Sequence, residues 1–416
     1  MITVSRCVNH RNRWMNHTRE GLYSFQWSRV RMRVIIRAYV PNNTAGAYRI
    51  SNNFLHRWPM AITLSLEDAQ KVITKWFHQP SHFRVIGLVD AQLEDSYSRT
   101  RNTTTYMLDL ASSADNTSTH TSFITISSIA DEPASVPRCN SLQVYSMLIA
   151  KIHQQTSIPI PEPILDTSLD SIDYPLLLTP PQPLRSSAII PLSAARAQNI
   201  LTKPQEALID LTLGQLLGQL HSGIQNDWFG HPSLDQPREP SYSWQETFVA
   251  LLEPLLEHVH NVGIDFGVSY EDIRTYLSRA IAFFLFDDVE VPSLIWFTGS
   301  EDDIFITRPD DTSSSVRIAA IVPTLAHALW GDPLLETFFL PPGPSEAIKE
   351  GYVGGGGSPL LVFGRQHTKR LWYTIFLALV ILVEREGLQP TKSDKKPWAL
   401  KTLERCSRAL KDAPCY

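Results

Sequence analysis

The chain is predicted to be α+β, with a small antiparallel β-lobe followed by a larger helical lobe. Three observations carry this. Short stretches of alternating apolar and polar residues, Phe83–Val89, Thr104–Leu110 and Ser122–Ser127, are separated by turns rich in Ser, Thr, Asn and Asp. After the break at Thr179-Pro180-Pro181-Gln182-Pro183, apolar residues recur at helical spacing. At 416 residues the chain exceeds one typical domain and suits two lobes.

Residues 1–60 form a basic N-terminal extension, residues 61–180 the β-lobe and residues 181–416 the helical lobe. The extension carries Arg6, Arg11, Arg13, Arg19, Arg29, Arg31, Arg33, Arg37, Arg49 and Arg57, with Glu20 as its lone acid. Such composition suits a mitochondrial presequence, although scattered Trp and Pro speak against an amphipathic helix, and a solvated, partly disordered extension or translated non-coding sequence fits as well. Leu64 to Phe77 reads as a helix that Ser65 caps, with Asp68 three residues later. The three strands follow, then a helix over Leu142–Gln155. Ser157-Ile158-Pro159-Ile160-Pro161 is extended, because proline pushes its predecessor out of the helical region. Tyr174–Leu178 is a further buried strand.

In the second lobe Ile209, Leu213, Leu216, Leu217 and Leu220 share one helix face. Ser243-Trp244-Gln245-Glu246 is a capping box that opens another helix, with Phe248, Leu251, Leu252 and Leu255 inward. Helices are also expected over Tyr270–Phe286, Lys369–Arg385 and Ala399–Leu410, with Gly354–Gly357 as a flexible turn.

A hydrophobic content of 43% with 19% charged residues is ample for a core. A net charge of −5 argues against a nucleic-acid partner. Cys7, Cys139, Cys406 and Cys415 lie far apart, without metal-binding spacing, and read as reduced thiols. The longest apolar run, Leu371–Val383, is too short for an integral membrane segment. A cytoplasmic protein is expected, or a mitochondrial one if the basic extension is a presequence.

The segment from Pro292 to Glu336 carries the most information. Its end, His327-Ala328-Leu329-Trp330-Gly331-Asp332-Pro333-Leu334-Leu335-Glu336, resembles the stretch after the metal-binding Asp of aminoglycoside phosphotransferase-like proteins. Gln155–Pro161, Leu213–His221 and Lys369–Thr374 are also similar to segments of the aminoglycoside phosphotransferase/choline kinase-like family, in its fungal branch, and come in the family's order. The resemblance runs from about residue 80 to the end and implies a bilobal protein-kinase-like fold.

It also implies a site whose chemical groups have been replaced. The family's catalytic loop reads H-x-D-x-x-x-x-N; aligned on Leu294-Ile295 and Ile304-Phe305-Ile306, this chain has Trp296 at the His, Thr298 at the Asp and Asp303 at the Asn. The second metal-binding Asp falls on Thr324, the phosphate-gripping Lys on Thr125 and its Glu partner on Tyr145. The nucleotide-covering turn, Ala91–Arg101, has no glycine. Phosphoryl transfer needs a positioning carboxylate, oxygen ligands on magnesium and a cation on the phosphates. The neutral hydroxyl of Thr298 cannot accept a proton as a carboxylate does, a contribution of about 10²–10⁴ in rate. Thr324 is a weak neutral ligand for magnesium, and Thr125 cannot neutralise phosphate.

The expectation is a catalytically degenerate phosphotransferase-like protein with a binding or scaffold role for a small molecule or protein not identified by the sequence. No cofactor is expected, and the losses count against ATP–magnesium. The alternatives are a repurposed interlobe cleft acting on a small hydrophobic metabolite in fungal secondary metabolism, and residual small-molecule kinase activity. Glu301 and Asp303 are the candidate ligands of a rebuilt cation site, with a solvated acidic turn as the simpler reading of Glu301-Asp302-Asp303. His327 is a candidate cleft base or a structural histidine. Asp287-Asp288-Val289-Glu290 has a weak likeness to a diphosphate-binding acidic motif. His221 is expected to pack or cap, Asp332 to cap a helix, and Trp244, Trp330 and Trp372 to fill the core.

Overall fold

The computed structural model describes residues 62–77, 83–92, 96–112, 119–128, 139–308, 316–360, 363–386 and 395–415. All of them belong to one unit, Arg57–Tyr416. The basic extension, and with it the expectations for residues 1–60, lies outside the described residues.

The first lobe opens with α1 (Leu66–Trp76), whose cap Ser65 accepts from the Asp68 backbone at 3.0 Å while its hydroxyl donates to the Asp68 carboxylate. Strands β1 (Phe83–Asp90), β2 (Thr103–Ser112) and β3 (Thr119–Ser127) are long and alternating, as their sequence predicts. Next come α2 (Leu142–Gln155), β4 (Ile164–Asp166) and β5 (Leu176–Leu178). The sheet is antiparallel throughout, in the order β1-β2-β3-β5-β4. Val72 and Ile73 of α1 pack with Leu108, Leu110, Ile124 and Ile126 on one face.

The second lobe begins with β6 (Ile189–Pro191), α3 (Leu192–Ala197) and α4 (Lys203–Gly223). Then follow α5 (Trp244–Asn261), α6 (Tyr270–Ala282), β7 (Ser293–Ile295), β8 (Ile304–Thr307), β9 (Ile318–Ile321) and β10 (Leu329–Gly331). Helices α7 (Glu346–Gly354), α8 (Gly364–Glu384) and α9 (Lys396–Ala409) close the chain. Every residue of α8 from Thr368 to Glu384 is buried, so this helix is the axis around which α5, α6 and α9 pack. No helix among the described residues is long and apolar enough to cross a membrane.

Three local expectations change. The helix expected to run to Phe286 stops at Ala282, because Phe284 takes a left-handed φ of 52° and is solvent-exposed. Gly354–Gly357, expected as a flexible turn, starts at the last residue of α7, and Gly355 there allows close packing. A Cβ on Gly355 would lie 2.1 Å from the Gln215 carbonyl of α4. The Glu301–Asp303 turn is not solvated: Asp302 and Asp303 are buried.

Candidate functional site

Strands β7 and β10 pair antiparallel, Leu294 opposite Trp330, and this sets the catalytic-loop-like segment beside the HALWGDP run. Gly331 is required there, since the Trp244 ring lies within 2.7 Å of where its Cβ would sit. Glu336, fully buried, accepts the backbone N–H groups of Trp296 at 2.6 Å and Phe297 at 3.3 Å, and its carboxylate lies 3.3 Å from His221 Nε2. His221 Nδ1 meets the Tyr352 hydroxyl at 2.9 Å, so His221 packs and orients, as expected. Phe297 has a φ of 65°, and the Thr298 N–H bonds back to the Trp296 carbonyl across it, a tight three-residue turn. The Thr298 hydroxyl is buried and has no hydrogen-bond partner among the described residues.

The β1–β2 connection, which by resemblance covers a nucleotide, reaches down to the site instead. Gln92 Nε2 donates to Thr324 Oγ1 at 2.5 Å, and Ser98 Oγ donates to Asp303 Oδ1 at 2.8 Å. Gln92, Ser96 and Ser98 are all buried. The second Asp303 oxygen accepts the Ser300 N–H at 3.0 Å. Asp302 is held by Ser193 and by Ser300 Oγ, while Glu301 Oε1 lies 3.3 Å from Arg196. Thr125 Oγ1 is 2.9 Å from Thr105 Oγ1, and Tyr145 is buried at the back of the same region. The cavity at Thr125 and Tyr145 measures about 30 Å³, room for about two waters.

Burial pushes the Asp303 carboxyl well above the usual carboxylate range, and Ser98 and the Ser300 N–H only partly oppose it. Both Asp303 oxygens and the Thr324 hydroxyl are thus already engaged by groups of this chain. Because the folded carboxyl holds its proton more tightly than the unfolded one, the stability it contributes is complete in acid. That stability is lost as pH rises from the ordinary Asp range through the raised value. Asp303→Asn is isosteric and always neutral, and its amide can donate to Ser98 while its carbonyl accepts from Ser300. The variant is therefore expected to gain stability relative to the parent as pH rises from about 4, near the ordinary Asp value, to neutrality. Urea unfolding at the two pH values checks this.

The end of α8 fastens the same connection from outside. Arg385 donates to the Ser96 carbonyl at 3.1 Å, the Arg101 N–H donates to Glu384 Oε2 at 2.9 Å, and the Arg101 guanidinium bonds the Val383 carbonyl. Tyr97 packs edge-on against Trp398 of α9, with Lys395 over its ring at 4.3 Å. His327 joins this outer cluster: its Nε2 lies 3.1 Å from Glu384 Oε1 and 3.9 Å from Cys139 Sγ. Among the described residues no hydrogen bond links His327 to Thr298, Asp303 or Thr324. Burial works against the Glu384 charge, but His327 and Arg101 outweigh it and hold the carboxyl below its ordinary value.

Asp332 does more than cap. Its Oδ1 accepts the Leu334 N–H at 2.9 Å, while its Oδ2 receives Lys369 Nζ at 2.8 Å and the Tyr373 hydroxyl at 2.7 Å. Trp244 Nε1 donates to that hydroxyl, and Lys369 also pairs with Asp288 of the acidic motif. A cavity of about 460 Å³ opens beside this chain of bonds, lined in part by His221, Asp288, Asp332, Tyr352 and Lys369.

Of the residues singled out from the sequence, Thr125 and Tyr145 line one small cavity, Asp303 and Thr324 bond to the β1–β2 connection, and the Thr298 hydroxyl joins neither group by a hydrogen bond. Sequence reading missed Gln92, Ser98, Glu336, Cys139 and Glu384. Glu336 alone carried a signal, as the last residue of the HALWGDPLLE run.

No protein-family model matches the chain, and no curated protein matches its sequence. Among solved structures it is similar to a protein assigned as an aminoglycoside phosphotransferase from Ralstonia eutropha, with 10% identity and a TM-score of 0.52 over 85% of this chain and 100% of that one. A protein assigned as a fructosamine-3-kinase from Haemophilus somnus gives 12% identity and a TM-score of 0.48, over 82% of this chain and 96% of that one. A spectinomycin phosphotransferase solved with ADP and spectinomycin gives 12% and 0.44, over 84% and 99%. At these identities the likeness is one of fold, and the first of the three carries it: the chain has the bilobal kinase-like architecture.

Proposed function

We propose that this chain is a catalytically degenerate phosphotransferase-like protein, a pseudokinase that serves as a binding or scaffold protein. One observation carries the reading. Gln92 and Ser98, from the connection expected to cover a nucleotide, are hydrogen-bonded to Thr324 and Asp303, the positions expected to hold magnesium. The chain's own side chains take the bonds that metal and phosphate would need. Thr125 and Tyr145 supply no cation and no carboxylate for the phosphates.

Recruitment of the cleft to a hydrophobic metabolite in fungal secondary metabolism requires a closed apolar pocket with Thr298, Asp303 or His327 facing in. The cavity of about 30 Å³ is lined by none of the three, so the observations favour the first reading. Residual kinase activity through Glu301 and Asp303 is disfavoured by the partners those carboxyls already have. Calorimetric titration of the full chain with ATP–magnesium tests the proposal. The expected result is no saturable binding at millimolar nucleotide, weaker than about −4 kcal/mol. Micromolar binding accompanied by hydrolysis would overturn it.

A further inference from the structure

Cys139, His327 and Glu384 come from three separate elements: the residue pair before α2, the turn before β10 and the last residue of α8. Their ligand atoms converge, with Sγ to Nε2 at 3.9 Å, Sγ to Oε1 at 3.6 Å and Nε2 to Oε1 at 3.1 Å. Around a tetrahedral zinc ion, with Zn–S near 2.3 Å and Zn–N and Zn–O near 2.0 Å, neighbouring ligand atoms lie about 3.3–3.6 Å apart. The observed triangle needs adjustments of only a few tenths of an ångström to reach that.

The way the histidine is used separates this from a nucleophilic relay. A Cys–His–acid relay needs opposite ring nitrogens, one toward the sulfur and one toward the carboxylate. Here both partners meet the same nitrogen, Nε2, as a shared ion requires. The supporting contacts also fit a built site. Glu384 Oε2 accepts the Arg101 N–H, which fixes the carboxylate with Oε1 turned to the cluster. Asn140 donates its side-chain amide to the Leu325 and Ala328 carbonyls at 2.8 and 3.0 Å and its backbone N–H to Ala326, clamping the turn that presents His327.

We propose that Cys139, His327 and Glu384 bind one zinc ion, with a fourth position left for water. Thiolate, imidazole and carboxylate are a borderline-soft set that prefers zinc to magnesium or calcium. His327 and Glu384 are almost fully buried while Cys139 is partly exposed, which gives an aquo ion a way in. The bound ion would tie the start of α2 in the sheet lobe to the end of α8 in the helical lobe. This site is independent of the degenerate cleft, and its test does not involve nucleotide.

The test uses the full chain, stripped with a chelator and titrated with zinc against a chromophoric competitor. One equivalent is expected to bind, to raise the melting temperature, and to shield Cys139 from iodoacetamide, as mapped by peptide mass spectrometry. Cys139→Ser and Glu384→Gln are expected to weaken binding by about 100-fold or more and to abolish the thermal shift. Cobalt substituted for zinc should show thiolate-to-metal absorption in the parent and not in Cys139→Ser. Equal zinc affinity in parent and Cys139→Ser overturns the proposal. So does unchanged alkylation of Cys139 in the parent with zinc present, a measurement that holds even if a variant fails to fold.

Discussion

Lys369→Met is expected to destabilise the folded protein by about 3–5 kcal/mol, the range for removing one partner of a buried ion pair. Lys369 is 2% exposed, and its ammonium meets the buried Asp332 carboxylate as well as Asp288, which is about one-third exposed. Burial works against the lysine charge, but the two carboxylates outweigh it and raise its pKa above the ordinary value. The contribution is thus complete below the ordinary lysine range and is lost only as pH climbs through the raised value. Methionine keeps the length and volume of the side chain, so the loss isolates the charge. Asp332 retains the Tyr373 hydroxyl and the Leu334 N–H but loses the ammonium in direct contact with its carboxylate. Asp288, facing solvent in part, contributes the smaller share. Urea unfolding checks the value, and adding Asp332→Asn to Lys369→Met should recover part of the loss. A loss under about 1 kcal/mol in the single variant would mean that the pair is no better than a surface one.

Gly351→Val is expected to cost at least about 3 kcal/mol or to prevent folding. Helices α4 and α7 approach so closely that a Cβ on Gly351 would lie 2.0 Å from the Leu211 carbonyl oxygen. The reciprocal distance, from Gly214 to the Ile348 carbonyl, is 2.2 Å, and Gly218 and Gly355 are equally confined. The obstacles are backbone atoms, so no rotamer change relieves them and the helices must move apart. Such separation would open the core around Leu213, Leu217, Ile348 and Tyr352. Gly354→Ala serves as the control, since a Cβ there meets nothing within 4 Å. It should be neutral, or stabilising by up to about 1 kcal/mol through reduced freedom of the unfolded chain. Melting temperatures of the two variants separate a packing constraint from a general dislike of helix changes.

The long elements were legible because their periodicity spans several turns or strand repeats. Helix α2 has the predicted ends, and Ser65 caps α1 as predicted. Strands β6 to β10 have three or four residues, too few to show a period, and tertiary pairing makes them. Helix α7 was not foreseen, and the turn expected over Gly354–Gly357 begins at its last residue; the glycines there answer to α4, which no local window contains. The cleft was legible in the same partial way. The resemblance to the family's motifs singled out Thr298, Asp303 and Thr324, but Gln92 and Ser98 lie 232 and 205 residues from the groups they bond. In sequence they are polar residues in a polar turn. Burial of the acidic turn was equally invisible, because an Asp faces water or the interior according to the hydroxyls near it in space.

The fastening of residues 96–101 to α8 and α9 also bears on cooperativity. In a two-lobed enzyme each lobe can fluctuate against the other, and the covering turn is usually among the least protected segments. Here Ser96, Tyr97 and Arg101 are tied to Arg385, Trp398 and Glu384 in the helical lobe, while β1 and β2 tie them into the sheet. Parting the lobes therefore breaks helix-end and cleft contacts together, and neither lobe can loosen at low cost while the other stays intact. Thermal or urea unfolding of this unit follows as a single transition, with the Arg101 amide, bonded to Glu384, among the last to exchange its proton.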